Sequence, residues 1–252
     1  MSIPARIRRF LKRPVFLFLS LFVLGDYVRF RRSFKNDNRK FLFSFFDVHP
    51  VLGDKTSETA FDPHYTYHVA WAIRCAKEIN PTRHVDVGSS LYFCTTLSAF
   101  IPTDFYDYRP ANIKLSGLSS LRGDLLRLPF SDGECRSLSC LHTLEHVGLG
   151  RYGDPIDARG DLKAIAELSR SVAPGGSLLV VVPTGTASKI EFNGHRIYSY
   201  RDFTSYFPDF TLHKFSYIPE KVGRGSMIEF AKEEDIGHDR YGCGCYWFVK
   251  SG

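Results

Sequence analysis

Cysteine is scarce in this chain, six in 252 residues. That excludes a disulfide scaffold and leaves reduced thiols in a cytosolic compartment as the default. No apolar run reaches the roughly 20 residues that a bilayer-crossing helix needs, so a polytopic membrane protein is excluded too. There is no internal repeat, no low-complexity tract and no P-loop, and no G-x-G-x-x-G stands at the turn where a dinucleotide site would need it. The composition is otherwise that of a globular protein, 44% apolar and 24% charged. The length suits one sizeable domain or two small ones.

The formal charge of +6 is unevenly spread: residues 1–40 carry 11 Lys/Arg and 2 Asp/Glu, whereas residues 41–252 carry 22 and 25. The basic character therefore belongs to the N-terminal segment, and the body is mildly acidic. Within that segment Val15–Leu24 reads VFLFLSLFVL. It follows Arg6, Arg8, Arg9, Lys12 and Arg13 and precedes Arg29, Arg31, Arg32 and Lys35. Three readings compete: an interfacial anchor on anionic lipid, a helix packed on protein, and a secretory signal, for which Val23-Leu24-Gly25 is a poor cleavage site. Basic residues on both flanks favour the cytoplasmic face of a membrane, with peripheral attachment. No basic-aromatic platform or zinc module points to nucleic acid. An oligomer is left open.

Residues 41–80 are a lead-in. In it Val69, Ala72, Ile73, Ala76 and Ile79 recur at helical spacing and predict a helix over 65–79, ended by Asn80-Pro81. From residue 81 short apolar runs alternate with helical stretches. Strands are predicted at 84–87, 104–108, 121–125, 136–142 and 177–182, and helices at 92–100 and 160–172. Two aromatic-rich strands follow at 211–218 and 242–250, separated by a charged loop. Strands alternating with helices mean βαβ crossovers and a mostly parallel α/β sheet. Ligands of such sheets bind beyond the carboxyl ends of the strands.

The loops there are therefore the candidate site. Gly88, Ser89 and Ser90 follow Asp86 and let a ligand approach the backbone. Asp107 ends the second strand, 21 residues after Asp86, a spacing that suits an acid gripping ribose hydroxyls. His142, Thr143, Glu145 and His146 end the fourth. His142, Glu145 and His146 are candidate acid–base groups by position. Arg151, Asn193, His195 and Arg196 are polar groups beside aromatics, as a sugar or anionic acceptor would require. Cys243 and Cys245 are read as strand residues with His238 only a loose ligand. Asp154, Asp157 and Asp161 match no calcium loop, so no metal is expected.

Taken together, Gly123-Asp124 with Leu128-Pro129-Phe130, Leu144-Glu145-His146 and Ala173-Pro174-Gly175-Gly176-Ser177-Leu178-Leu179 resemble the class I S-adenosylmethionine-dependent methyltransferases. The similarity runs from Val85 to Pro183. Gly148–Pro155 and Tyr241–Trp247 resemble a narrower methyltransferase-like family of unknown function linked with surface-glycan biosynthesis. The resemblance implies a Rossmann-like, seven-stranded sheet with an antiparallel last strand over residues 81–252, behind the N-terminal extension. It implies S-adenosylmethionine at Asp86 and Gly88, ribose at Asp107, adenine at Asp124 and Leu125, and the methyl-donor side at His142 and Thr143. Methyl transfer to a glycan oxygen is the expected function. The alternative is a methyltransferase-fold scaffold protein without cofactor, favoured by departures from the family pattern. Ser90 and Tyr92 stand where the family places glycines, and Tyr92 is expected to crowd the cofactor. Cys135-Arg136 replaces a Phe-Asp, and 14 residues from Val147 to Gly160 separate the fourth strand's loop from the next helix.

Overall fold

The structure, a computed structural model, describes residues 14–34, 39–51, 54–221 and 227–252, with side chains from residue 23 onward in the first helix. Arg6 to Arg13, Lys35 and most of the apolar run's side chains lie outside the described residues. The chain divides into two compact units, residues 1–61 and 62–252.

The first unit holds helix α1, Pro14–Phe34, with Arg31 and Arg32 in its last turn. Asp26 pairs with Arg29 and, at 2.8 Å, with Lys55. Tyr27, Phe30 and Phe34 gather around Phe43, each with ring centroids 5.1 Å from it. Leu42 and Phe46 stand almost fully exposed. Among the described residues no helix is long and apolar enough to cross a membrane.

The second unit begins with helix α2, Pro63–Ile79. Asp62 caps it by accepting from the Tyr65 N–H, Pro63 sits in its first turn, and Asn80 ends it in the left-handed region at φ 48°. Strand β1 is His84–Val87, α3 is Leu91–Leu97, β2 is Thr103–Asp107 and β3 is Leu118–Arg122. Strand β4 is Cys135–Leu141, α4 is Gly160–Ser171 and β5 is Val172–Thr184. A small hairpin follows, β6 (Lys189–Glu191) and β7 (His195–Ile197), then α5 (Tyr200–Ser205), β8 (Phe210–Ile218) and β9 (Gly242–Lys250).

Seven strands form one sheet in the order β3-β2-β1-β4-β5-β9-β8. Pairs among the first five are parallel, and β9 runs antiparallel to both β5 and β8. The seven-stranded α/β fold with an antiparallel last strand is thus present. The strand order reverses between β1 and β4, which leaves a crevice at their carboxyl ends.

Alternation along the buried strands builds two cores. Val180 and Val182 of β5 and Tyr246 and Phe248 of β9 face α4 and α5 through Ala164, Leu168 and Phe203. Leu179, Val181, Cys245 and Trp247 face α2 and α3 through Trp71, Ala76, Phe93 and Leu97. Leu168 is fully buried, and truncating such a side chain to Ala costs about 2–5 kcal/mol.

Several elements differ from expectation. The third strand lies at 118–122 rather than 121–125. It is an edge strand with every residue exposed or half-buried, so burial imposes little apolar pattern on it. Its start is set by Gly117 at φ +77°, where a Cβ would lie 2.5 Å from the Ser98 carbonyl oxygen. The β6–β7 hairpin and α5 were not expected, because elements of three to six residues repeat a strand or helix period too few times to reveal it. Strand β5 also extends back through Pro174-Gly175-Gly176. A register shift between Cys135 and Ser137 absorbs these residues.

Candidate functional site

The crevice at the strand ends holds a cavity of about 280 Å³. Gly88, Asp107, Asp124, Leu125, His142, Thr143 and His146 all line it, as do Val87, Tyr108, Arg109, Tyr152 and Asp154. The first seven come from four separate loops, and the strand order brings them together. Gly88 has φ +75° and no room for a side chain, since a Cβ would lie 2.6 Å from Thr143 Cγ2. Thr143 Oγ1 donates to the Gly88 carbonyl at 2.7 Å. Asp107 accepts the Arg109 N–H on Oδ1 at 2.6 Å. Asp124 turns the chain after β3 by accepting from Leu126 N at 2.9 Å, which leaves Leu125 as an apolar wall.

Asp86, Ser89 and Ser90 do not line the cavity. The Asp86 carboxylate is fully buried and takes Ser89 Oγ at 2.6 Å, Ser89 N at 3.1 Å, Cys94 Sγ at 3.3 Å and the Ser139 hydroxyl. Burial pushes its pKa up to about 6, against the hydrogen bonds that hold it down. Asp86 therefore organises the turn from within. Ser89 is spent on Asp86 and on Leu141 N, and Ser90 caps α3 at Phe93 N. Tyr92 is 81% exposed. The first turn of α3 carries its ring to solvent, so the expected crowding does not occur.

The end of β4 turns sharply, with His142 at φ 55°. His142 Nδ1 donates to Glu145 Oε1 at 2.8 Å, and its Nε2 lies 3.3 Å from Cys243 Sγ, at the start of β9. Burial disfavours charge on His142, yet Cys243 and Glu145 raise its pKa. Burial likewise opposes ionisation of Cys243, but the neighbouring Cys245 thiol and His142 lower its pKa. Glu145 is buried behind His142 and away from the cavity. Its carboxylate holds the His142 ring and does not line the cavity, which differs from its reading as an acid–base group facing substrate.

His146 does face the cavity. Its Nδ1–H donates to the Gly194 carbonyl at 2.7 Å, an oxygen that also accepts Arg151 Nη1 at 3.0 Å. Burial holds its pKa below the ordinary value, outweighing the pull of Glu145. Its ring meets Tyr152 edge-on with centroids 5.6 Å apart. Tyr152 in turn lies under the Arg109 guanidinium at 4.6 Å.

The loop 147–160 folds around its own acid. Asp154 accepts from Gly148 N at 2.7 Å, Gly150 N at 3.4 Å and Tyr152 N at 3.2 Å. Gly148, Gly150 and Gly153 all have positive φ, which lets successive N–H groups converge on one carboxylate. Arg196 anchors the same loop from below. It is buried, donates to Val147 O at 2.6 Å and to Asp157 O and Ala158 O at 3.4 Å, and pairs with Asp161. Its guanidinium is spent on the fold and cannot hold an acceptor. Asn193 is an exposed hairpin residue at φ 63°, serving the turn.

His195 lines a second, larger cavity of about 730 Å³ with Lys189, Glu191, Glu220, Arg240 and Tyr241. It packs at a tilt against Tyr241 with centroids 4.9 Å apart, and its ring is 6.5 Å from that of His146. The two cavities are therefore neighbours. Sequence reasoning missed Tyr108, Arg109, Tyr152 and Tyr241. The lengthened loop that carries Arg151 and Asp154 was the available signal for Tyr152.

The family model described as a Caenorhabditis protein of unknown function, DUF268, matches residues 136–218. That span covers β4 to β8, and its description carries no glycan link. No curated protein matches the sequence. Among solved structures, a SAM-dependent methyltransferase from Thermotoga maritima superposes with a TM-score of 0.51 and 16% identity, over 75% of this chain and 91% of that one. A protein from Bacillus halodurans assigned to the methyltransferases gives 0.51 and 13%, over 73% and 99%. One from Galdieria sulphuraria assigned as a sarcosine dimethylglycine methyltransferase gives 0.50 and 12%, over 73% and 84%. With this strand order, its antiparallel last strand and these neighbours, the chain has the fold of the class I S-adenosylmethionine-dependent methyltransferases.

Proposed function

We propose that the protein transfers a methyl group from S-adenosylmethionine to an oxygen of a polar acceptor, a glycan or related surface-polymer precursor. The observation that carries this reading is the cavity at the β1/β4 switch point, with Asp107, Gly88, Leu125 and His146 around one space. The residues there fit the cofactor. Asp107 commits one carboxylate oxygen to Arg109 N and leaves the other for ribose hydroxyls. Val87 and Leu125 offer apolar surface to adenine. Similarity to a protein described as SAM-dependent supports the same cofactor.

The sulfonium of S-adenosylmethionine supplies an electrophilic methyl carbon, and the chain must orient the acceptor in line with it. His146 is placed to take the acceptor's proton. Its Nδ1–H is held by Gly194 O, so Nε2 carries the lone pair. Burial keeps the ring neutral, the state a general base needs. A base there suits an acceptor that must lose a proton on methylation, as a hydroxyl does. The adjoining cavity suits a sugar, because it combines the Tyr241 ring with Lys189, Glu191, Glu220 and Arg240.

The scaffold alternative drew its strongest support from Tyr92, and that ring is in solvent. Calorimetry of the full chain with S-adenosylhomocysteine tests the cofactor. Binding should weaken by roughly 10- to 100-fold in Asp107→Ala, the loss expected for a charged hydrogen bond of about 1.5–3 kcal/mol. No binding at millimolar ligand overturns the enzymatic reading, and unchanged affinity in Asp107→Ala removes the ribose assignment.

A further inference from the structure

One cluster is left unused by methyl transfer. His64 in the first turn of α2, His142 at the end of β4 and Cys243 at the start of β9 bring ligand atoms within 4.8 Å of one another. Cys243 is fully buried. The His64 and His142 rings lie nearly parallel, 7° between planes with centroids 5.8 Å apart. His142 Nε2 and Cys243 Sγ are already at 3.3 Å. At zinc bond lengths and tetrahedral angles, nitrogen and sulfur ligands stand about 3.5 Å apart. Only His64 needs to close in.

Two further observations point to a metal. His142 donates its other ring nitrogen to the Glu145 carboxylate at 2.8 Å. That is the arrangement by which metal-bound histidines are oriented and made more basic. It fixes the tautomer whose bare Nε2 faces Cys243. Beside it, His68 is fully buried with its ring edge-on to His142 at 5.0 Å. Its Nδ1–H donates to the His64 carbonyl at 2.6 Å, and its Nε2 has no hydrogen-bond partner. The same contact ties His68 to the backbone of a proposed ligand. Glu145 Oε2 is also buried without a partner.

We propose that His64, His142 and Cys243 bind a zinc ion through two imidazole nitrogens and one thiolate, with Glu145 holding His142 in its ligating tautomer. Two nitrogens and one sulfur suit a borderline cation such as Zn²⁺ rather than Ca²⁺ or Mg²⁺, which take oxygen. Binding displaces the proton shared between Cys243 Sγ and His142 Nε2 to solvent, so affinity rises with pH. The fourth position is open to water or an acceptor atom, as in sites with three protein ligands. His142 also lines the cofactor cavity, which sets the metal at its edge. The inference stands on the cluster alone and is independent of the methyl-transfer reading.

The test uses the chelator-treated full chain, titrated with Co²⁺ by absorption and with Zn²⁺ by calorimetry. One equivalent of Co²⁺ should produce a thiolate-to-cobalt charge-transfer band. Cys243→Ser should abolish that band, and Cys135→Ala, which alters a distant thiol, should keep it. His64→Gln changes a half-buried side chain and leaves the thiol in place. It should weaken Zn²⁺ binding at least tenfold, and Glu145→Gln by roughly 10- to 100-fold, with circular dichroism of each variant unchanged. Should Cys243→Ser fail to fold, His64→Gln and Glu145→Gln decide. A missing charge-transfer band, or unchanged affinity in His64→Gln, overturns the site. S-adenosylhomocysteine binding measured on the same samples separates this failure from failure of the methyltransferase reading.

Discussion

Thr143 and Gly88 clamp the carboxyl ends of β4 and β1 together. The Thr143 hydroxyl donates to the Gly88 carbonyl at 2.7 Å, and its methyl group fills the place a Cβ on residue 88 would take. The floor of the cavity depends on that pair. Gly88→Ala forces an L side chain into the left-handed region, about 1–2 kcal/mol, and pushes against Thr143 as well. The urea midpoint should fall and S-adenosylhomocysteine affinity with it. A midpoint and affinity equal to the wild type would show that the clamp does not shape the site.

His146 should set the acid limb of the rate profile. Its pKa is lowered by burial from 6.5. The rate therefore rises with pH through a value below 6.5 and is flat near neutrality. His146→Asn keeps a donor for Gly194 and loses the base. It should lower kcat by roughly 10²–10⁴ while leaving S-adenosylhomocysteine affinity within about twofold. A profile and kcat that survive the substitution would exclude His146 as the base.

Asp86 makes stability fall with pH on the acid side. Its folded pKa is raised from 3.8 to about 6 by burial, so the native state binds the proton more tightly than the unfolded chain. That contribution is fully present below the unfolded value and is lost as pH rises through about 6. It amounts to about 3 kcal/mol at roughly 1.4 kcal/mol for each pH unit. Asp86→Asn should flatten the dependence of unfolding free energy between about pH 4 and 6. A wild-type slope in the variant would place the titrating group elsewhere.

The basic segment should act as a membrane address. Full-length protein is expected to float with anionic vesicles at low salt and to sediment as salt screens the contact. A chain lacking residues 1–40 should stay at the bottom of the gradient. Equal flotation of the two would remove the anchor reading.

By itself the sequence determined the layers of this protein. Helix α4 and the buried strands β4, β5 and β9 are written in local apolar spacing, because each must hide a continuous face, and the end of α2 is written in Asn80-Pro81. Edge strand β3 and the β6–β7 hairpin were not legible, because solvent tolerates almost any residue there. The sequence also located the loops that line the cavity, since strand ends follow from strand patterns. Which polar side chains remain for a ligand was decided by the tertiary structure. Asp86 is taken by Ser139, Arg196 by the carbonyls of Val147, Asp157 and Ala158, and Tyr92 is turned to solvent by the first turn of α3. His64 and Cys243 join His142 across 78 and 101 residues of chain. The physical reason is the same throughout. A buried polar group must find partners wherever the fold places them, and those partners are set by strand order, which local pattern does not encode.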